Sequence, residues 1–246
     1  TGSDPGDLKP FAESPPGGMA APEHWLEKLE ITPATRVLDI GAGIGGTARF
    51  VHKRFGAHGA AGDLTPSYVQ GAKTLNERAG IGDGISVMQG RALDLPLAAG
   101  SIDLALMLHV GMNIEDKEAL MGEVARVLKP GGHFAIFDVM KDSVDQPLAF
   151  PLPWSEVPGN SFVAHPLAYR TAAEGAGLVH ESQRARRDFT LAFFARVFEG
   201  IKQNGMPPLG IHLLMGESAG EKLQNYVANV EAHRIAPVEM IFRKNG

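Results

Sequence analysis

Cysteine is absent from this 246-residue chain. That excludes disulfides, thiolate metal sites and a cysteine nucleophile. Positive charge is in deficit: 23 Lys and Arg face 28 Asp and Glu, a formal net charge of −5 and a pI near 6.0. A nucleic-acid partner wants a basic face, so none is expected. The densest basic cluster, Arg184, Arg186 and Arg187, reads as a solvated strand or loop edge. No apolar run reaches the length of a membrane span and no signal peptide is visible, so the expectation is a cytoplasmic enzyme with no membrane partner. The histidines show no metal-ligand spacing and no H-E-x-x-H pair, so no metal is expected. Internal repeats and low-complexity segments are lacking too. The length suits one α/β domain with a sizeable core, preceded by a flexible segment over residues 1–19.

What is present is concentrated in Val37-Leu38-Asp39-Ile40-Gly41-Ala42-Gly43-Ile44-Gly45-Gly46. It reads as a buried strand turning through glycines into a helix that begins near Thr47. A second strand-like run, Gly59-Ala60-Ala61-Gly62-Asp63, ends in a carboxylate. Strand, glycine turn, helix and acid-terminated strand make a nucleoside-binding half-site, the carboxylate accepting from ribose hydroxyls. Two cofactors compete. Gly41, Gly43 and Gly46 fit the dinucleotide pattern G-x-G-x-x-G, a weak signal by itself. Asp39 separates the readings, because a carboxylate beside the turn repels a pyrophosphate. It suits S-adenosylmethionine, which carries an ammonium and a sulfonium and no phosphate.

Helices and strands then alternate: helix 45–54, strand 58–63, helix 66–79, strands 84–89 and 102–108, helix 115–128, strand 132–138. This implies a parallel sheet with helices on both faces. A short helix over 20–31, with Trp25, Leu26 and Leu29 on one face, precedes it. Residues 139–165 hold four prolines and read as an irregular excursion. A helix from Pro166 to Gly175, a strand near 177–187, helices over 189–203 and 217–233 and a last strand over 238–243 complete the chain. The two late helices are an insertion. Set at the carboxyl ends of the strands, it would close a pocket over the cofactor; the alternative use is an oligomer contact.

The motifs resemble those of class I S-adenosylmethionine-dependent methyltransferases. Asp39 to Gly45 matches the first motif and Asp63 the acid after the second strand. Leu93-Asp94-Leu95-Pro96 with Gly100-Ser101-Ile102-Asp103-Leu104-Ala105 resembles the loop into the fourth strand. Leu128-Lys129-Pro130-Gly131-Gly132 before Phe134-Ala135-Ile136-Phe137 resembles the approach to the fifth. The resemblance covers residues 35–138. It implies a doubly wound, mostly parallel seven-stranded sheet whose last strand inserts antiparallel, and a single domain over 20–246 with cap insertions at 139–165 and 188–233. It implies methyl transfer to nitrogen, oxygen or carbon of a small-molecule acceptor. Asp39, Gly41, Ala42, Gly43, Asp63, Leu64, Arg91, Ala92 and Leu108 would hold the cofactor. Leu108-His109-Val110-Gly111-Met112-Asn113 is similar to the segment after the fourth strand in glycine-, sarcosine- and dimethylglycine-type N-methyltransferases, which makes His109 a candidate base or positioning group. Asn113, Trp154, His165, Tyr169 and His212 would line the acceptor pocket.

Two departures stand out. Arg91 replaces an Asp that in many relatives accepts from the adenine amine, a contact that arginine cannot make. The Ala92 amide and apolar stacking are then expected to hold adenine, with Arg91 turned outward. Ala12-Glu13-Ser14-Pro15-Pro16 stands where close relatives carry a polar segment over the cofactor. These departures keep a second reading open: a methyltransferase-like domain turned to cyclisation, rearrangement or ligand binding.

Overall fold

The computed structural model describes Leu26 and residues 28–205 and 215–246. Four strands with their helices come first: β1 (Arg36–Ile40), α1 (Gly46–Phe55), β2 (His58–Asp63), α2 (Pro66–Arg78), β3 (Ile85–Gln89) and β4 (Ile102–Leu108). Then follow α3 (Lys117–Val127), β5 (Leu128–Lys141), α4 (Pro166–Gly175), β6 (Leu178–Ala185), α5 (Arg187–Asn204), α6 (Ala219–Glu231) and β7 (Ile235–Lys244). The sheet order is β3-β2-β1-β4-β5-β7-β6. The strands from β1 to β5 pair in parallel, and β7 runs antiparallel to both β5 and β6. This is the doubly wound, mostly parallel seven-stranded sheet that the motifs implied.

The central strands are apolar almost throughout because both of their faces are buried. Successive residues go to opposite cores. Leu38, Ile40, Ala105, Met107, Phe134 and Ile136 pack on one face. Val37, Leu104, Leu106, Ala135 and Phe137 pack on the other. Local signals set the helix ends. Gly56, at φ 72°, stops α1 and donates to the His52 carbonyl, the left-handed C-terminal cap that glycine adopts without penalty. Pro66 opens α2, and the Asp116 carboxylate accepts from the Ala119 amide to start α3.

Several boundaries move. β5 outruns the expected 132–138 because β7 pairs with it as far as Lys141–Ile235. α3 starts at Lys117 because Asp116 is spent as its cap. Residues 28–31 are turn and coil, so the helix expected through 31 ends earlier; most of that expectation, like the segment 12–18, lies outside the described residues. The basic cluster is corrected in two of its three members, while Arg184 stays exposed on β6 as expected. Arg186 is buried against Glu239 at 3.4 Å, and Arg187 donates to the Val230 and Glu231 carbonyls at the end of α6, where a cation is favoured.

The two insertions pack on each other. Leu152, Trp154 and Val163 of the irregular stretch join Phe194 and Phe198 of α5, Tyr226 and Val230 of α6, Val139 of β5 and Ile235 of β7 in a third core. Buried Asn229 locks them, exchanging both amide hydrogen bonds with the Ala149 backbone. This core rests on the carboxyl end of β5, the edge at which the β1 and β4 turns also lie. No helix among the described residues is long and apolar enough to cross a membrane.

Candidate active site

The turn after β1 winds through Gly41, Gly43 and Gly45, all at positive φ. Gly41 has a steric reason as well: a Cβ there would stand 2.4 Å from Cγ2 of Val110. The two carboxylates flanking the turn use its amides. Asp39 is buried and accepts from the Ala48 N–H in the first turn of α1 at 3.1 Å. Asp63 accepts from the Gly43 N–H at 2.8 Å through one oxygen and from the Thr65 N–H at 2.8 Å through the other. In a pyrophosphate site these glycine-loop and helix-end amides would face the phosphates. Here they are taken by the protein's own acids. Burial, above all, pushes the Asp39 carboxyl up to about 7, and the neighbouring Asp63 charge adds to this against the Ala48 amide and Arg49. Arg49 is turned away, onto the Ile44 carbonyl and Asn76. The edge beside the turn is thus acidic, with lone pairs to spare on Asp63, and it suits a cation with a ribose.

Along the edge, Leu64 is an exposed apolar side chain beyond Asp63. Gln89 donates to its carbonyl at 3.2 Å, and the Gly90 N–H donates to the Asp63 carbonyl at 3.0 Å. Ala92 packs partly into the core, while Arg91 is exposed and its carbonyl accepts from the Asp94 N–H at 3.1 Å. Ala42 is anchored by donation to the Gly62 carbonyl at 3.0 Å. The cofactor residues expected from the sequence therefore share one edge, with Arg91 turned to solvent.

The β4 turn lies beside this. Leu108 ends the strand against Phe137. His109 follows at φ 56°, donating its backbone N–H to the Phe137 carbonyl at 2.8 Å. A non-glycine residue in the left-handed region is uncommon and worth a functional question. Its ring meets that of Phe137 edge to face at 5.0 Å. Some of the residue reaches solvent, but Nε2 is buried without a hydrogen-bond partner. Burial pushes its pKa down to about 3. The imidazole is then neutral across the working pH range. A base so weak is better suited to positioning.

Behind the turn is a group that the sequence reading missed. Asp138 is fully buried, accepts from the Tyr169 hydroxyl at 2.7 Å and from the Val139 N–H at 2.9 Å, and is pushed up to about 7 chiefly by burial. The Lys117 ammonium lies over the Tyr169 ring at 5.2 Å. It donates to the carbonyls of Gly111 at 3.0 Å, Phe162 at 3.0 Å and Ile114. Gly111 must lack a side chain, since a Cβ would sit 2.4 Å from Asp138 Oδ2.

A family model matches residues 38–136. Over those residues the chain matches a methyltransferase domain. A sterol 24-C-methyltransferase of Gibberella zeae is 32% identical over 137 residues, 55% of this chain and 36% of that protein. A glycine/sarcosine/dimethylglycine N-methyltransferase of Actinopolyspora halophila is 34% identical over 113 residues, 46% of this chain and 20% of that protein. Among solved structures, the phosphoethanolamine N-methyltransferase 2 of Haemonchus contortus, with S-adenosyl-L-methionine bound, superposes at a TM-score of 0.78 and 18% identity, over 98% of this chain and 57% of that one. That likeness shows the fold. The chain spans less than half the length of the curated relatives it matches.

The expected acceptor residues divide. Trp154 stands in the third core, donating to Ser161 Oγ at 2.9 Å and meeting Tyr226 edge to face. Asn113 is exposed on the turn after β4. Tyr169 is corrected: its hydroxyl is spent on the buried Asp138 behind the turn. His165 is corrected too, for its Nδ1 accepts from the Leu167 N–H and caps α4. His212 lies outside the described residues.

Proposed function

We propose that the chain transfers the methyl group of S-adenosylmethionine to a small molecule. The carrying observation is the capture of the glycine-loop and helix amides by Asp39 and Asp63, which leaves a cradle for a cation in place of a phosphate. When bound, the cofactor supplies an electrophilic methyl on a sulfonium. Gly41 and Gly43 would let its amino-acid end approach the backbone, Asp63 would accept from the ribose, and Leu64 and Ala92 would flank adenine. The chain's further task is to hold an acceptor in line and keep water out, which can supply up to ~7–11 kcal/mol of barrier lowering. The two insertions, joined over the carboxyl edge, are suited to that as a cap.

Asp63→Ala is expected to weaken S-adenosylmethionine binding by roughly 1.5–3 kcal/mol, the range for hydrogen bonds to a charged group. Calorimetry on the folded variant tests this; unchanged affinity would remove Asp63 from the site.

Asp39 gives the proposal a pH signature. Its carboxyl titrates at about 7 in the folded protein against an ordinary value of 3.8. The folded state therefore holds the extra proton, and the free protein loses stability through this group as pH rises from about 4 to about 7. A bound cation favours the ionised form, so cofactor affinity should increase as pH rises through about 7. Asp39→Asn should flatten that rise. A rise that persists in the variant would assign it to another group.

A further inference from the structure

Among the described residues, the buried polar atoms without a hydrogen-bond partner include three from the elements at the carboxyl edge. His109 Nε2, Thr190 Oγ1 and Tyr226 Oη are sealed from solvent and make no hydrogen bond. Thr190 is fully buried in α5, where a threonine hydroxyl ordinarily bonds back to the carbonyl one turn earlier. Such groups cost free energy in a folded protein unless something else uses them.

A chain of contacts links the three. His109 packs on Phe137, and Val139, two residues on and so on the same sheet face, belongs to the third core with Phe194 and Tyr226. The Phe194 and Tyr226 rings meet at 5.5 Å. Thr190 lies one helical turn before Phe194, and these two are the buried residues of α5. Arg186, a turn earlier again, is fixed to Glu239, the β7 neighbour of Phe137. One stripe of α5 thus crosses the sheet face beside His109.

The surroundings set the chemistry. The walls are aromatic and aliphatic: Trp154, Phe194, Phe198 and Leu152. The buried charges on this side of the molecule are matched internally. Lys117 and Asp138 influence each other and are hydrogen-bonded to three carbonyls and to Tyr169 respectively, Arg186 pairs with Glu239, and Lys222 pairs with Glu156. Each of these buried charges already has a counter-ion, although Arg186 Nε makes no hydrogen bond of its own, and burying a further, unmatched charge of the acceptor there would be costly.

We propose that His109 Nε2, Thr190 Oγ1 and Tyr226 Oη are the polar contacts of the acceptor site, and that the acceptor is an uncharged molecule with an apolar body bearing hydroxyl or carbonyl groups. This rests on the methyl-transfer reading. The neutral imidazole of His109 donates to or accepts from such a group without a change of charge. The two hydroxyls orient the molecule from the cap side.

Calorimetry of the protein saturated with S-adenosylhomocysteine tests the assignment. The probes are 2,6-dihydroxynaphthalene and its charged relatives 6-hydroxy-2-naphthoate and 6-hydroxy-2-naphthylmethylammonium. The neutral diol should bind at least about tenfold more tightly than either ion, and a Thr190→Val/Tyr226→Phe double variant should lose about tenfold or more. The same double variant, free of ligand, should melt higher by about 2–4 °C, because it removes unsatisfied buried hydroxyls. Preference for a charged probe, no diol binding, or a lower melting temperature in the variant would overturn the proposal. Failure of S-adenosylhomocysteine to bind would instead count against methyl transfer, while the melting comparison would still decide the hydroxyls.

Discussion

Gly41→Ala is expected to destabilise the protein by about 2–5 kcal/mol and to abolish measurable cofactor binding. Two costs add. An alanine at φ 66° enters the left-handed region at ~1–2 kcal/mol. Its methyl would also lie 2.4 and 2.8 Å from the two Cγ atoms of Val110, and overpacking of that kind costs about 1–3 kcal/mol. Val110 follows His109, so relief of the clash must push apart the β1 and β4 turns, the two that build the site. Gly43→Ala is the control. Its φ is 55°, but no atom lies within 4 Å of the added methyl, so only the conformational cost of ~1–2 kcal/mol applies. Its methyl would still obstruct a ligand lying on the turn. Chemical denaturation should rank Gly41→Ala well below Gly43→Ala, and calorimetry should find cofactor binding impaired in both. Equal stabilities would show that Val110 yields freely and that the two turns are not in tight contact.

The glycine turn was legible in the sequence because its chemistry is local: a few consecutive residues fix both the conformation and the acidity of the site. The sheet was legible for a related reason. Strands buried on both faces are written as apolar runs, and their alternation with helices leaves few topologies. Groups that meet across the fold were not. Asp138 and Tyr169 are 31 residues apart, and Lys117 comes from a third element. Signals existed. An aspartate inside Phe134-Ala135-Ile136-Phe137-Asp138-Val139-Met140 must find partners, and a lysine in the first turn of a helix opposes the helix dipole unless it is drawn elsewhere. His165 and Tyr169 read as pocket residues because histidine and tyrosine are chemically able. Their places one turn apart at a helix start, however, gave one to capping and the other to the core. The orphan hydroxyls of Thr190 and Tyr226 lay in what the sequence showed only as apolar helix faces.

Lys117→Met should cost about 3–5 kcal/mol, the penalty for breaking a buried charge pair from one side. The ammonium holds three carbonyls at once, two in the turn after β4 and one at Phe162 in the irregular insertion. The Phe162 N–H in turn donates to the Met112 carbonyl at 2.8 Å, so this side chain joins the acceptor-side turn to the cap. Removing it leaves those carbonyls without their cation and Asp138 without a positive neighbour. The pH dependence follows from Asp138. Its carboxyl is already raised to about 7, with Lys117 among the influences holding it down. Without that ammonium it rises further, and a carboxyl whose folded pKa lies above its unfolded value costs stability as pH rises. The variant should accordingly be less impaired below pH 7 than above it. Asp138→Asn in the Lys117→Met background should recover part of the loss, because an uncharged amide can still accept from the Val139 N–H through its oxygen and donate to the Tyr169 hydroxyl oxygen through its nitrogen. Turnover should fall more than cofactor affinity, since the loosened turn lies on the acceptor side and the β1 cradle is untouched. A loss that is the same at all pH values and is not relieved by Asp138→Asn would mean that the ammonium only fills space among carbonyls and does not balance the buried acid.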